Sequence, residues 1–356
     1  MARRRVPLAK PRPDCTRFIK AVTTSYEPDR PPLVEYIFND KLLRTVLESM
    51  GRTWVPPDPD RASQEGYLDN FIAFWHHMGY DFVRLERSMA FPGVTGRHSP
   101  DLGRNFAETA AGPIRSWEDF HNYPWPEPSD EDFRTHEYVA AHLPDGMGLI
   151  SNHAYGMFER LVQLMGYEPL CVALYEQPDL VAAVVQRIGE RTEAYYRRLL
   201  KLPRLIAVFP GDDMGFRSGT LVSPEHLRRY TLPWHKRFAQ MAHDAGLPYF
   251  LHSCGQVEQI MPDLIDDVRI DAKHSFEDAI LPVAEFKRRH GERIGVLGGV
   301  DVDRFTRLDE GELRRYVRGI IDACAPGGRF AIGAGNSIPD YIPVGNYLTF
   351  LDEALR

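Results

Sequence analysis

The sequence predicts an α/β fold, a single (β/α)8 TIM barrel with an insertion near the barrel mouth. From about residue 148 onward, short apolar runs alternate with helix-like segments, and two earlier strand candidates bring the number of strands to eight. The length of 356 residues suits one such barrel. A doubly wound open sheet is the alternative, and it is disfavoured because no G-x-G-x-x-G segment follows the first strand.

Local patterns predict the elements in chain order. Pro178 falls in a predicted first helical turn, and Ser223-Pro224-Glu225 combines an N-cap, a proline and an acidic first turn. Gly291 indicates a helix end. The predicted strands begin near residues 33, 82, 148, 205, 247, 270, 294 and 329. The predicted helices cover residues 69–78, 177–186, 257–267, 281–290, 309–325 and 344–355, with another that opens at residue 223.

Domain boundaries follow from composition. Residues 1–29 are predicted to form an N-terminal extension, and residues 30–356 the barrel. Residues 87–147 are rich in proline, glycine, serine and tryptophan, so we interpret them as the insertion and not as a separate domain.

Composition argues against several classes of protein. The net charge of −7 gives no general attraction to nucleic acid. The basic start at Arg3-Arg4-Arg5 has no apolar stretch behind it and does not resemble a signal peptide. No apolar run approaches the roughly 18 residues of a membrane span. Four widely spaced cysteines do not form a disulfide framework, so a cytoplasmic protein without a nucleic-acid or membrane partner is expected.

Polar residues follow nearly every predicted strand. In a (β/α)8 barrel these strand ends converge on one cavity, where active sites lie. Structural roles are the alternative, because acidic residues at strand ends also cap helices and Arg84 has Glu86 as a local ion-pair partner. The candidate catalytic residues are Glu159, Asp212, Asp213 and Glu277. The candidate substrate-binding residues are Arg84, Asn152, His153, Tyr155, His274 and Asn336.

The segment His252-Ser-Cys254-Gly255 is the most specific chemical signal. It directly follows the apolar run at residues 246–251, so His252 and Cys254 lie two residues apart on a strand end and point to the same side. An imidazole and a thiolate in this arrangement form a pair of zinc ligands. Two ligands do not make a complete site, and a satisfied histidine at the rim of the barrel is the alternative.

Several segments together resemble the uroporphyrinogen decarboxylase superfamily. The resemblance covers most of residues 150–352 and implies a (β/α)8 barrel. The superfamily contains the haem-pathway decarboxylase and zinc-dependent methyltransferases that move methyl groups between corrinoid proteins and thiols. The matching segments are Glu176-Gln-Pro-Asp-Leu180, Asp212-Asp-Met-Gly215, Leu221-Val-Ser-Pro-Glu225, Pro233-Trp-His-Lys236, residues 246–255, Gly298-Gly-Val-Asp301 and Gly333-Ala-Gly-Asn-Ser-Ile-Pro339.

The His-x-Cys-Gly motif resembles the methyltransferase branch, in which these two residues bind zinc. The decarboxylase branch instead carries an arginine-rich N-terminal segment that grips substrate carboxylates. Here that region keeps Arg30-Pro-Pro but lacks the later arginines, which counts against porphyrinogen decarboxylation. Arg84, Arg97 and Arg104 are candidates for an alternative clamp.

The third zinc ligand of the methyltransferase branch is a cysteine after the last strand. Asn336 stands at that position, and an amide is a poor zinc ligand beside a thiolate. Zinc is therefore expected on His252, Cys254 and a carboxylate from Asp213, Glu159 or Glu277. If none of these carboxylates serves as a ligand, we expect zinc to be weakly bound or absent.

The favoured function is that of a zinc-dependent methyltransferase acting between a corrinoid or onium donor and a thiol. The sequence contains no Asp-x-His-x-x-Gly segment, so a corrinoid is expected on a separate protein. A small-molecule substrate and a homodimer complete the expected partners. The rivals are uroporphyrinogen decarboxylase or a related decarboxylase, in which Asp212 would stabilise a protonated pyrrole ring, and a barrel without either activity.

Overall fold

The structure, a computed structural model, describes residues 4–58, 60–94 and 112–356. Within these ranges the strands are short and lie at the predicted places. Most of their residues are buried, as is typical of parallel strands covered by helices. They are β1 (Phe82–Leu85), β2 (Gly148–Ser151), β3 (Leu205–Val208), β4 (Phe250–His252), β5 (Ala272–His274), β6 (Gly295–Leu297) and β7 (Phe330–Ala331).

The strands are parallel and follow the order of the chain. One sheet has the order β1-β2-β3 and another β4-β5-β6-β7. A parallel bridge between Val208 and Tyr249 joins the two sheets, and a parallel bridge between Leu33 and Ile332 adds the segment at residue 33 beside β7. The segment that contains Leu33 and Tyr36 also lies near β1, where Arg84 Nη1 donates to Tyr36 O at 2.7 Å. A predominantly parallel α/β fold is thereby confirmed.

The helices lie between the strands and pack their apolar faces on them. Those in the described part of the chain are α1 (Cys15–Thr23), α2 (Asp40–Ser49), α3 (Arg61–Met78), α4 (Trp117–Asn122), α5 (Glu131–His142), α6 (Met157–Met165), α7 (Tyr167–Glu176), α8 (Pro178–Leu199), α9 (Pro224–Tyr230), α10 (Leu232–Asp244), α11 (Val283–His290), α12 (Val302–Arg307), α13 (Glu310–Cys324) and α14 (Val344–Ala354). None of them has the length and apolar character that a membrane-spanning helix needs.

Two predicted elements differ from expectation. The helix expected at residues 257–267 is a 3-10 turn at Glu258–Ile260 and a π-turn at Asp263–Val268. Pro262 lies between them and has no N–H to donate, which interrupts regular helical bonding. The first predicted strand makes only single bridges within the described residues, from Leu33 to Ile332 and from Phe38 to Ile338.

The insertion is shorter than the sequence predicted. Helix α5 lies inside the range 87–147, yet it is the crossover helix that joins parallel strands β1 and β2. It packs on β2 through His136, whose Nε2 lies 2.7 Å from Ser151 Oγ. Arg97 and Arg104, the candidates for an alternative clamp, lie outside the described residues.

Candidate metal centre

Two loops at neighbouring strand ends carry the central residues. The loop after β3 and the end of β4 are joined by hydrogen bonds from Asp212 N to His252 O and from His252 N to Pro210 O, both 2.9 Å. Beyond them, Gly255 has a φ of 76°, and a Cβ there would lie 2.3 Å from Gly215 C. Glycine is therefore required for this close approach, which holds the two loops together.

Asp213, His252 and Cys254 form a compact cluster at this junction. Cys254 Sγ lies 3.3 Å from His252 Nε2, and His252 Nε2 lies 3.5 Å from Asp213 Oδ1. The potential ligand atoms of the three residues all lie within 4.8 Å of one another. Cys254 N also donates to Asp213 Oδ1 at 2.9 Å, so the backbone orients the carboxylate. The arrangement offers nitrogen, sulfur and oxygen donors to one metal ion.

The Cys254 sulfur is surrounded by hydrogen-bond donors. Asn336 Nδ2 lies 3.2 Å from Sγ and Ser275 Oγ lies 3.5 Å from it. Burial and the Asp213 carboxylate raise the pKa of Cys254 well above its usual range, although these donors act in the opposite direction. A nearby cation would favour the thiolate, as metal coordination does.

The Asp213 carboxylate keeps its charge in this setting. The hydrogen bond from Cys254 N to Oδ1 favours the ionised form of the carboxylate. A carboxylate beside a sulfur and an imidazole nitrogen is suited to a divalent cation.

His252 is held from behind by a second histidine. Its Nδ1 lies 2.7 Å from His274 Nδ1, and His274 Nε2 lies 3.2 Å from Ala334 O. The Tyr36 ring stacks on His252 with centroids 4.0 Å apart and an interplanar angle of 11°. The predicted site residue His274 therefore supports His252 from within the buried interior.

Asp212 has a different role from its neighbour. Its two oxygens accept from Phe158 N at 3.0 Å and Glu159 N at 2.9 Å, which satisfies the first turn of α6. Oδ2 also lies 2.8 Å from His235 Nε2. The Asp212 carboxylate is completely buried, and these three groups are its hydrogen-bond partners. Its contacts are therefore those of a residue that caps a helix, which was the structural alternative in the sequence analysis.

Glu159 and Glu277 lie beside the cluster with perturbed acidities. Burial, followed by the Asp213 and Asp212 carboxylates, raises the pKa of Glu159 well above its ordinary range. Burial, followed by Asp301 and Asp213, raises the pKa of Glu277. Groups tuned in this way are suited to accept or donate a proton near neutral pH.

Arg84 and Asn152 converge on Glu86, which the sequence analysis treated only as a partner for Arg84. Arg84 Nη2 lies 2.6 Å from Glu86 Oε2, and Asn152 Nδ2 donates to the same oxygen at 2.9 Å. The Arg84 guanidinium is fully buried and lies 3.5 Å from the centroid of the Tyr36 ring. Arg84 thus has its charge matched within the protein.

His153 and Tyr155 diverge from each other after β2. His153 Nδ1 lies 2.9 Å from Tyr196 OH, and its ring packs beside Phe238 in the buried layer between strand and helix. Tyr155 makes a backbone bridge to Gly211, and its ring lies 4.8 Å from the Arg160 guanidinium. Of the two, Tyr155 is the one joined to the loop that carries Asp213.

Sequence reasoning missed Tyr36 and Lys273. Tyr36 has a detectable signal, because it lies near the end of the first predicted strand. Lys273 is buried beside the cluster, and its Nζ donates to His274 O at 3.2 Å and Ser275 O at 2.6 Å. Burial lowers the pKa of Lys273 to about 8. Only the three-dimensional arrangement reveals that it ties the strand ends together.

The fold is shared with solved structures of low sequence identity. A methyltransferase from Methanosarcina mazei matches with a TM-score of 0.65 at 15% identity, over 95% of this chain and 97% of that chain. An intracellular xylanase from Thermoanaerobacterium saccharolyticum gives a TM-score of 0.41 at 13% identity, over 87% of this chain and 86% of that chain. The first likeness concerns the fold alone, and the second supports no argument. No curated protein matches the chain significantly.

The sequence carries a family signature over most of its length. The profile described as uroporphyrinogen decarboxylase (URO-D) matches residues 105–356. That range contains Asp213, His252 and Cys254 and every strand from β2 onward. The resemblance inferred from the motifs is confirmed, and the chain belongs to the uroporphyrinogen decarboxylase family.

Proposed function

We propose that this chain is a zinc-dependent methyltransferase that moves a methyl group between a corrinoid or onium donor and a thiol. The observation that carries the proposal is the convergence of Asp213, His252 and Cys254 at adjacent strand ends. Membership of a family that contains such enzymes supports the reaction class. The fold shared with a methyltransferase is compatible with it.

The donor set fits zinc in type, and two of its three ligand separations fit zinc in length. Zinc bonds of about 2.0–2.3 Å in a tetrahedron place neighbouring ligand atoms about 3.3–3.8 Å apart. The separations of 3.3 Å from Cys254 Sγ to His252 Nε2 and 3.5 Å from His252 Nε2 to Asp213 Oδ1 fall in this range. Three protein ligands would leave the fourth position open, as in catalytic zinc sites.

Charge also favours a carboxylate as the third ligand. A Cys254 thiolate and an Asp213 carboxylate together balance a divalent cation, as two thiolates and a histidine do. Asn336 supplies no charge at the position of the absent cysteine but donates to Cys254 Sγ at 3.2 Å. We therefore propose Asp213, among the three carboxylates considered from sequence, as the third ligand.

Zinc at this site would lower the pKa of an incoming thiol and allow it to bind as a thiolate. We propose Glu159 as the group that takes the thiol proton, because it lies near Asp213 and its ionised form is a stronger base than an ordinary glutamate. One of its oxygens is already oriented by Gly156 N at 3.2 Å. The thiolate sulfur then forms a bond to the methyl carbon, and the electron pair of the methyl–donor bond leaves with the donor.

The surrounding molecule is proposed to be one closed barrel. Residues 30–356 would form it, residues 1–29 would extend from it, and the eight parallel segments would close between residues 33–38 and β1. The hydrogen bond from Arg84 to Tyr36 O supports closure at that junction. We further propose a cytoplasmic location, a small-molecule substrate and a corrinoid carried by a separate protein.

Decarboxylation of a porphyrinogen is the second candidate. The description of the matching family profile favours it, and Arg84 is a buried cation near the cluster. In that reaction an aspartate would stabilise a protonated pyrrole ring. Asp213 has fewer protein partners than Asp212 and is the better placed of the two for such a role.

Metal analysis tests the methyltransferase proposal. Protein expressed with added zinc is expected to retain about one zinc ion per chain. Cys254→Ala is expected to lose most of it. Cys324→Ala is the matched control, because Cys324 is buried on α13 away from the cluster. Absence of a transition metal from the wild type, or equal loss in both variants, would contradict the proposed site.

A further inference from the structure

The hydrogen bonds behind His252 determine where its protons lie. A carbonyl oxygen only accepts, so His274 Nε2, 3.2 Å from Ala334 O, carries a hydrogen. His274 is completely buried with Tyr36, Phe209 and His252 against its ring, so a second proton would leave a buried cation without a carboxylate partner among the described residues. Its Nδ1 therefore has a lone pair. His252 Nδ1, 2.7 Å away, must be the donor in that pair.

We propose that His274 is a positioning residue that fixes a proton on His252 Nδ1 and thereby reserves His252 Nε2 for a metal ion. This inference rests on the proposed metal site. It adds a specific role for His274, which the sequence analysis had considered for substrate binding. Second partners of this kind orient ligand histidines and fix their tautomer in metal sites.

The acceptor that holds His274 is itself fixed. Ala334 N donates to Glu35 Oε1 at 3.0 Å, and Ala334 forms a parallel bridge with Val300. Gly298 packs against the same carbonyl, since a Cβ there would lie 2.2 Å from Ala334 O and 3.1 Å from His274 Nε2. The carbonyl therefore cannot move far to release the His274 hydrogen bond.

The orientation of the His252 ring is constrained as well. Tyr36 stacks on it at 4.0 Å, which restricts tilting of the imidazole. In the fixed orientation, Nε2 faces Cys254 Sγ and Asp213 Oδ1 at 3.3 and 3.5 Å. The other neutral tautomer would place an N–H between two intended ligands and would have no lone pair to offer at that position.

Metal affinity provides the first test. Zinc dissociation constants, measured by competition with a chromophoric chelator, are expected to be about 10–100-fold weaker for His274→Phe than for the wild type. His274→Asn, whose side-chain oxygen replaces Nδ1 as the acceptor, is expected to bind more tightly than the phenylalanine variant. His136→Phe is the control, because it removes another buried histidine on α5 and is expected to bind as the wild type does. Circular dichroism checks the fold of each variant.

The tautomer provides the second test and does not require metal. Nitrogen NMR of metal-free, histidine-labelled protein at mildly alkaline pH is expected to show His252 with a protonated Nδ1 and an unprotonated Nε2. The assignment uses His252→Gln as the reference. The opposite tautomer, or wild-type zinc affinity in His274→Phe, would overturn the inference. Absence of zinc binding by the wild type would instead refute the proposed function. The NMR experiment would then still decide whether His274 fixes the proton on His252 Nδ1.

Discussion

Two adjacent aspartates after β3, Asp212 and Asp213, have different roles. Asp212 is completely buried and occupied by two backbone N–H groups and His235. Asp213 is more exposed and faces His252 and Cys254. Their side chains point in different directions because they alternate along an extended loop. One carboxylate therefore stabilises the fold, and the other is available for chemistry.

This division predicts opposite phenotypes for two matched substitutions. Asp213→Asn is expected to reduce zinc affinity at least tenfold with little change in stability, because it removes the charge but keeps the shape. Asp212→Asn is expected to cost about 2–4 kcal/mol in the free energy of unfolding, because its amide cannot accept from all three donors. Urea unfolding and zinc competition measure the two effects. A larger loss of stability in Asp213→Asn would reverse the assignment.

At the level of elements, the segment at residues 33–38 contains an unusual buried acid, Glu35. Glu35 Oε1 accepts from Ala334 N, whereas Oε2 is buried without a hydrogen-bond partner. Burial raises the pKa of Glu35 well above its ordinary value. Glu35 and Tyr36 thus point to opposite sides of the segment at residues 33–38, with Glu35 bonded to Ala334 N and Tyr36 stacked on His252, in keeping with the alternation of side chains along a strand.

Glu35→Gln is expected to stabilise the protein in a pH-dependent way. The folded state favours the protonated acid, so the contribution of wild-type Glu35 is fully present below the unfolded pKa and declines as pH rises toward the folded pKa. Glutamine does not titrate. The stability advantage of the variant should therefore grow by about 1.4 kcal/mol per pH unit over that window.

Urea unfolding of both proteins across a pH series measures this difference. Glu48→Gln is the control, because Glu48 is exposed on α2 and pairs only with Arg44 at the surface. We expect no comparable trend for it. A Glu35→Gln variant whose advantage is constant with pH, or greatest in acid, would show that Glu35 is ionised in the folded state.

At the level of the whole molecule, charge around the cluster is unsuited to an acidic substrate. Glu86, Glu159 and Glu277 add negative charge near the Asp213 carboxylate, and the guanidinium of Arg84 is already paired with Glu86 at 2.6 Å. Arg30 interacts instead with Asp81, which precedes β1 at the opposite end of the strands from the cluster. The Arg30-Pro-Pro segment therefore does not bring a cation to the site.

We predict that the protein does not convert uroporphyrinogen to coproporphyrinogen at a useful rate. The substrate has about eight carboxylates, and each one buried without a cation would cost several kcal/mol. Anaerobic incubation followed by chromatography measures the product, with an active uroporphyrinogen decarboxylase as the positive control. Substantial turnover would favour the decarboxylase and assign the His252 and Cys254 pair to a structural role.

The parts of the fold that sequence predicted well are those set by local pattern. Helix α13 begins where Asp309 and Glu312 form a capping box, and α9 begins at the Ser223 cap and Pro224. Strands β2 to β7 lie in their predicted runs, most of which are short apolar segments bounded by turns. Pro262 was visible in the sequence, yet its disruption of the helix at residues 257–267 was overlooked.

The candidate site was predictable only where ligands are close in sequence. His252 and Cys254 are two residues apart on a strand end, so the period of two places them together without knowledge of the fold. The sequence could not distinguish Asp213, Glu159 and Glu277 as the third ligand. Each follows a different strand, and which of them reaches His252 and Cys254 depends on how the loops pack. The close approach of Gly215 and Gly255 selects Asp213.

By itself, the sequence determined the family, the alternation of strand and helix, and the imidazole–thiol pair, since each depends on residue type and local spacing. Tertiary structure decided which carboxylate joins that pair, that Asp212 caps α6, and that His274 and Tyr36 hold the His252 ring. These contacts join residues separated by tens to hundreds of positions. Their distances depend on packing and on hydrogen bonds between loops, which local sequence patterns do not encode.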